Sequence, residues 1–307
     1  MNARRFQFGV ILVIASVMGC TESNTVTLPT ATAPNSADAA KIRSGFEMGV
    51  PTGSGVEAGV PTDSASTAST PSPTGFATLR GSFTLEGDPP APVVLTVDKD
   101  ANVCAPGDKP VEDKDFVFDA TSQGIANVVI FVENCPEEWV HESAKPGNEA
   151  EVIFDQEKCV FLTRMVVMQT SQKLRVLNSD PVGHNLKVAS FNQTIPSGGF
   201  AIYQPLKEMR APEEMACSIH PWMKAWMLTR DNGYFAVSKE DGSFELPNLP
   251  AGVKLDFRVW HERSKAVTGA TIDGEELKWS KGRMSHTLEP DQDFNLGVIK
   301  LNSSLFN

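Results

Sequence analysis

The chain has 307 residues, of which 27 are basic and 38 acidic, for a net charge of −11 and an isoelectric point near 5.0. A surface this acidic repels nucleic acid and anionic lipid headgroups, so neither is expected as a partner, whereas a basic protein could be steered toward it.

Residues 1–19 begin with Arg4 and Arg5 and continue in an apolar run from about Phe6 to Met18. The run is too short and too weakly flanked for a membrane span and has the layout of a secretory signal. It closes on Val17-Met18-Gly19-Cys20. This segment resembles the lipobox of bacterial lipoproteins, which implies cleavage before Cys20 and a lipid on its thiol. The mature chain would then sit at a membrane surface, in the periplasm or on the cell exterior, with a net charge of about −13 once Arg4 and Arg5 are gone. No later stretch approaches the length of a membrane helix, so the lipid is the one membrane contact expected.

Residues 20–75 are dominated by Ser, Thr, Ala, Pro and Gly. They bury too little apolar surface to offset the entropy of ordering and read as a flexible tether. A near-duplication, Gly49-Val50-Pro51-Thr52 and Gly59-Val60-Pro61-Thr62, has too few copies for a solenoid. From residue 76 the pattern changes. Short apolar or alternating runs recur at 79–85, 126–132, 152–154, 165–168, 174–177, 186–189, 226–229, 235–237, 244–246, 255–259 and 294–301, punctuated by Pro, Gly, Asn and Asp. Strands at such spacing predict an all-β chain of sandwich architecture.

The segment richest in chemistry is Ala216-Cys217-Ser218-Ile219-His220-Pro221-Trp222-Met223. A thiol, an imidazole and a thioether at Cys-x2-His-x2-Met can converge from one tight loop between two strands. Upstream, Asn178-Ser179-Asp180-Pro181-Val182-Gly183-His184-Asn185 forms a turn leading into a strand, and His184 can supply a second nitrogen. Two imidazoles, one thiolate and a weak thioether suit copper cycling between Cu(I) and Cu(II). Met227, four residues after Met223, is a rival thioether that reads as core. His141, His261 and His286 have no partners at metal spacing and read as structural or surface residues.

These two segments resemble the cupredoxins, the blue-copper electron carriers, and in particular the amicyanin and plastocyanin pattern of Asn-x(5)-His-Asn followed by Cys-x2-His-Pro-x-Met. The resemblance implies a cupredoxin-like Greek-key β-sandwich over residues 150–232, holding one mononuclear type-1 copper ion on His184, Cys217, His220 and Met223. It further implies an imidazole edge of His220 serving as electron port beside Pro221 and Trp222, a bond from Asn185 to the Cys217 loop, and an exported redox protein as partner. With Cys20 lipidated and Cys217 on copper, one disulfide among Cys104, Cys135 and Cys159 fits the oxidising compartment, its pairing open.

After Met227, Asp241-Gly242 is a hairpin signal between alternating strands and Pro250-Ala251-Gly252 a second turn. Asp241-Gly242-Ser243-Phe244-Glu245-Leu246-Pro247-Asn248-Leu249-Pro250-Ala251-Gly252 resembles the transthyretin-like, carboxypeptidase-regulatory β-sandwich. That resemblance implies a module split into residues 76–149 and 233–307, with the copper domain inserted in it or adjacent to it. Trp260-His261-Glu262 lacks an accompanying nucleophile or metal set and reads as a strand ending at a polar turn. Five histidines are too few for a copper oxidase, so no enzymatic activity is expected. The expected function is a one-electron carrier; the alternative is a non-redox surface or structural protein whose cupredoxin-like domain stores copper or has lost it.

Overall fold

A computed structural model describes residues 71–107, 109–147, 151–277 and 279–307. The expected signal segment, the lipid site Cys20, the duplication at 49–62 and nearly all of the tether lie outside the described residues. Within them the chain is all-β, with helical structure limited to single turns such as Ala101–Cys104. Among the described residues no helix is long and apolar enough to cross a membrane.

Four main sheets form two pairs. In the first pair, one sheet is built on Gly75–Glu86, which lies parallel to Asp293–Asn302 and antiparallel to Ser243–Ala251. The facing sheet places Val129–Val132 between Phe235–Val237 and Lys254–His261. Ala77, Leu79, Phe83 and Leu85, at alternate positions of the first strand, are all buried in the core between them. Gly81 continues that alternation, and a Cβ there would come within 3.0 Å of the Phe244 ring, so the absence of a side chain lets the ring lie against the strand.

In the second pair, a five-stranded sheet runs in the order Phe191–Ile195, His184–Val188, Glu213–Ala216, Lys224–Arg230, Met165–Gln169. The other sheet has Lys173–Leu177 between Phe200–Tyr203 and Glu151–Phe154. Leu174, Val176, Leu186, Val188, Met215, Met227 and Leu228 fill the core of this pair.

The strand Val129–Val132 is buried at all four positions. Strand alternation sends Ile130 and Val132 into the first core and Val129 and Phe131 into the second. Lys254–His261 behaves alike, with Val259 on one face and Trp260 on the other. This explains why residues 129–132 form an unbroken apolar run: a strand with a core on each side has no polar face.

The turn at Asp241-Gly242 forms, but not as a hairpin closing two paired strands. Phe235–Val237 pairs with Val129–Val132, whereas Ser243–Ala251 pairs with Gly75–Glu86, so the turn hands the chain from one sheet to the facing one. Gly242 sits at φ +80° with its carbonyl accepting from Phe83 N at 3.0 Å, and a Cβ would lie 2.1 Å from the Phe83 carbonyl oxygen. Long-range pairing of the apolar strand 243–251 with residues 75–82 outweighs the local turn preference.

Candidate metal centre

Three of the four candidate ligands meet at one buried point. His184 begins the strand His184–Val188, where Lys187 pairs with Ala216 of the neighbouring strand. That register sets Cys217, the next residue, beside the start of the His184 strand, and Asn185 N donates to Cys217 Sγ at 3.3 Å. The loop from Cys217 to Met223 joins the paired strands Glu213–Ala216 and Lys224–Arg230. It is closed by its own backbone, with Cys217 N donating to the Met223 carbonyl at 3.2 Å and Met223 N donating to the His220 carbonyl at 3.0 Å.

The result brings His184 Nδ1 to 2.9 Å from His220 Nδ1, and Cys217 Sγ to 3.9 Å from His220 Nδ1. One nitrogen or sulfur of each residue lies within 4.8 Å of the others. His184 and His220 have no solvent exposure, and Cys217 and Met223 are buried in the same core cluster. Met227 is also buried, farther along the strand Lys224–Arg230.

Asn185 ties the two halves together from both ends, since its side-chain oxygen accepts from Ser218 N at 3.1 Å and its amide donates to Asn192 at 2.8 Å. The turn before His184 is equally well held. Asn178 donates through Nδ2 to the carbonyls of Val182, Ile195 and Pro196 and accepts from Asp180 N, an Asx turn that presents Asp180 to the interior.

Each imidazole is anchored by a carboxylate. His184 Nε2 donates to Asp180 Oδ2 at 2.7 Å, and His220 Nε2 donates to Asp100 Oδ2 at 2.9 Å. Protons on both Nε2 atoms leave lone pairs on both Nδ1 atoms, turned toward one another and toward the thiol. Burial holds the His184 ring below the usual imidazole range, with the neighbouring His220 acting in the same direction against Asp180. A neutral imidazole is the ligating form. Facing lone pairs in a buried pocket are unfavourable unless a cation is shared, and two imidazoles with a thiolate are a donor set that suits copper. The residues therefore fit the ion, and the carboxylates would fix ring orientation and raise ligand basicity.

The electron port expected at His220 is not an open edge. Asp100, brought in from 120 residues upstream, occupies the outer, Nε2 edge of the ring, and the ring is fully buried. Trp222 lies 5.2 Å from the His220 ring and donates through its indole N–H to the Cys159 carbonyl at 3.1 Å.

Among the described residues the disulfide is Cys104–Cys159, and Cys135 and Cys217 are free thiols. Burial pushes the Cys135 thiol up to about 11, so it is inert at neutral pH. The bridge adjoins the centre, with sulfur atoms of Cys104 and Cys159 within 4.8 Å of a His220 nitrogen. Asp180 was within reach of the sequence, four residues before His184 in the segment already singled out. Asp100 and the Cys104 half of the bridge carry no local signal.

His141, His261 and His286 stand apart from the centre. His261 is enclosed by Phe116 and Phe306, and Glu262 holds Arg164 by two bonds of 2.6 Å while accepting from Trp226 Nε1. Trp260-His261-Glu262 is thus part of a structural ion-pair cluster, with Asp113 on Arg164 at 2.8 Å.

No protein-family model and no curated protein matches the chain. Among solved structures it is similar to a copper-containing nitrite reductase from Thermus scotoductus, at 16% identity and TM-score 0.25 over 26% of this chain and 22% of that one. It is also similar to amicyanin from Paracoccus versutus, at 18% identity and TM-score 0.23 over 33% of this chain and 97% of the amicyanin. A purple cupredoxin from Nitrosopumilus maritimus matches at 17% identity and TM-score 0.23 over 26% and 99%. The chain thus spans about a fifth of the reductase's length. With TM-scores this low, the functional reading rests on the residues of the centre.

Proposed function

We propose that this chain binds one copper ion through His184, Cys217, His220 and Met223 and carries single electrons outside the cytoplasm. The observation that carries the reading is the convergence of two imidazole nitrogens and one thiol sulfur within 4.8 Å, all buried, from the turn at His184 and from the loop of Cys217 and His220, the two histidines 36 residues apart. Bound copper would supply a one-electron Cu(I)/Cu(II) couple. The chain supplies a pre-set donor geometry: Asp180 and Asp100 hold the rings, Asn185 N holds the sulfur, and the Asn185 side chain holds the loop. A site held this firmly changes little when the ion changes charge.

On this reading the chain is not an enzyme, Cys20 bears the lipid, and an exported redox protein is the partner. Residues 150–232 are the copper domain, inserted in a split sandwich of residues 76–149 and 233–307. In support, strands 75–132 and 235–302 share their sheets, and those of 151–230 pair with one another. Enclosure of His220 favours a second reading, copper stored without cycling.

One equivalent of Cu(II) added to the full chain should produce an intense visible thiolate charge-transfer band and a narrow copper hyperfine splitting. Cys217→Ser should remove the band and retain the fold. A colourless wild type that leaves the copper free refutes the site, and a coloured protein without a reversible voltammetric wave points to storage.

A further inference from the structure

Between Gly75–Glu86 and Phe118–Asp119 the chain makes a long excursion whose described pairing is one isolated bridge, Val94 with Glu112. The excursion carries the helical turn Ala101–Cys104, which it brings up to the His220 side of the centre. Asp100, just before that turn, is held in the left-handed region at φ 49°. Its carboxylate is the sole hydrogen-bond partner of His220 Nε2 among the described residues. The Asp100 side chain is 35% exposed while that of His220 is 0% exposed, so Asp100 is the layer between water and the ring.

The same turn is fastened by Cys104 to Cys159. Cys159 N donates to Asp180 Oδ2, the oxygen that also accepts from His184. The disulfide therefore ties the segment covering His220 to Cys159, whose N–H in turn holds the carboxylate that orients His184. Farther along, Asp113 pairs with Arg164, which anchors the return of the excursion but lies 13 residues from Asp100.

Resting on the copper reading, we propose that residues 100–104 are a lid on the centre, with Asp100 as the positioning residue for His220 and the Cys104–Cys159 bridge as the latch. A small-molecule dithiol would open it by thiol–disulfide exchange. Two electrons and two protons pass to the bridge, giving Cys104 and Cys159 thiols, and the dithiol becomes a disulfide. Without the latch the four-residue turn is held by the Asp100 carboxylate and by Val103 packed on the second core, a small contact set against the entropy of ordering it. The His220 edge then becomes accessible, and metal exchange accelerates.

Two rates on the full chain test this. The first, in copper-free protein, is carbethoxylation of His220 by diethyl pyrocarbonate, mapped by peptide mass spectrometry with His286 as internal reference. The second is extraction of copper from the loaded protein by a strong chelator. Asp100→Gly removes the carboxylate while tolerating the left-handed backbone, and should raise both rates at least tenfold. Asp100→Asn, which keeps an acceptor and also tolerates that backbone, should restore most of the protection. Dithiol treatment followed by removal of the reagent, or Cys104→Ala with Cys159→Ala, should raise both rates as much.

A His220 carbethoxylation rate within twofold of wild type in Asp100→Gly overturns the lid. Access would then run through the cleft of about 540 Å³ that reaches Trp222 and Met223. If the double cysteine variant fails to fold, Asp100→Gly decides alone. A chain that takes up no copper sinks the copper reading, and carbethoxylation still decides the lid.

Discussion

Asp180 offers the sharpest test of how the centre is built. Its side chain is 2% exposed, with Oδ1 accepting from Lys158 N at 2.6 Å and Oδ2 accepting from Cys159 N at 2.8 Å and His184 Nε2 at 2.7 Å. Asp180→Asn keeps the shape and removes the charge. The amide can turn its oxygen toward Cys159 and His184, but its NH2 then faces the Lys158 N–H, donor against donor. One hydrogen bond to an ionised acceptor, worth about 1.5–3 kcal/mol, is lost, and the other two become neutral and about half as strong. The expected destabilisation is about 3–6 kcal/mol, large against the 5–15 kcal/mol typical of a folded domain. Because His184 also loses its charged orienting partner, copper affinity should fall about 10–100-fold. Urea unfolding of the copper-free chain measures the first, and competition against a chelator of known affinity measures the second. An unfolding free energy within about 0.5 kcal/mol of wild type, with affinity unchanged within threefold, would refute the reasoning, since a buried carboxylate bearing three donors cannot be neutralised without cost.

Two further outcomes are expected. The Cys104–Cys159 bridge closes a loop with a sequence separation of 55 residues, for which chain entropy gives about 4 kcal/mol. Cys104→Ala with Cys159→Ala should lose an amount of that order in urea unfolding, and a loss under about 1 kcal/mol would contradict the chain-entropy account. His261 is fully buried between Phe116 and Phe306, and burial pushes its ring down to about 3, far below the unfolded value of about 6.5. Between those limits the unfolded chain binds the proton and the folded one does not, so stability is full above about pH 6.5 and declines as pH falls toward 3. At pH 5 the loss is about 2 kcal/mol; His261→Phe should lose correspondingly less between pH 7 and pH 5, and an identical pH dependence in the two proteins would show that His261 is protonated in the fold.

Much of the fold could be read from local pattern. The runs at 79–85, 152–154, 165–168, 174–177, 235–237 and 255–259 all fall within strands, because short runs that are apolar or alternate with the two-residue repeat of a sheet, bounded by turn residues, suit strands. Strands at Phe191–Ile195, Glu213–Ala216 and Arg283–Thr287 escaped that reading. Their sequences FNQTI, EEMA and RMSHT are polar at half or more of their positions, so only pairing with neighbours makes them strands. The Asp241-Gly242 turn was legible as a turn, but whether the strands it joins pair with each other depends on residues 75–82, far away in the chain.

The candidate ligands divide along the same line. His184, Cys217, His220 and Met223 were legible because three of them share a seven-residue loop whose spacing alone lets the donors converge. A short segment constrains its own geometry, so its chemistry can be read without the fold. What tertiary structure alone decided is everything that reaches the centre from afar: Asp100 on His220, the choice of Cys104 and Cys159 over Cys135, and the enclosure that removed the open edge expected of His220. Those contacts join residues 55 and 120 positions apart. Their proximity follows from two sandwiches packed on the shared strand Val129–Val132, and no local pattern encodes it.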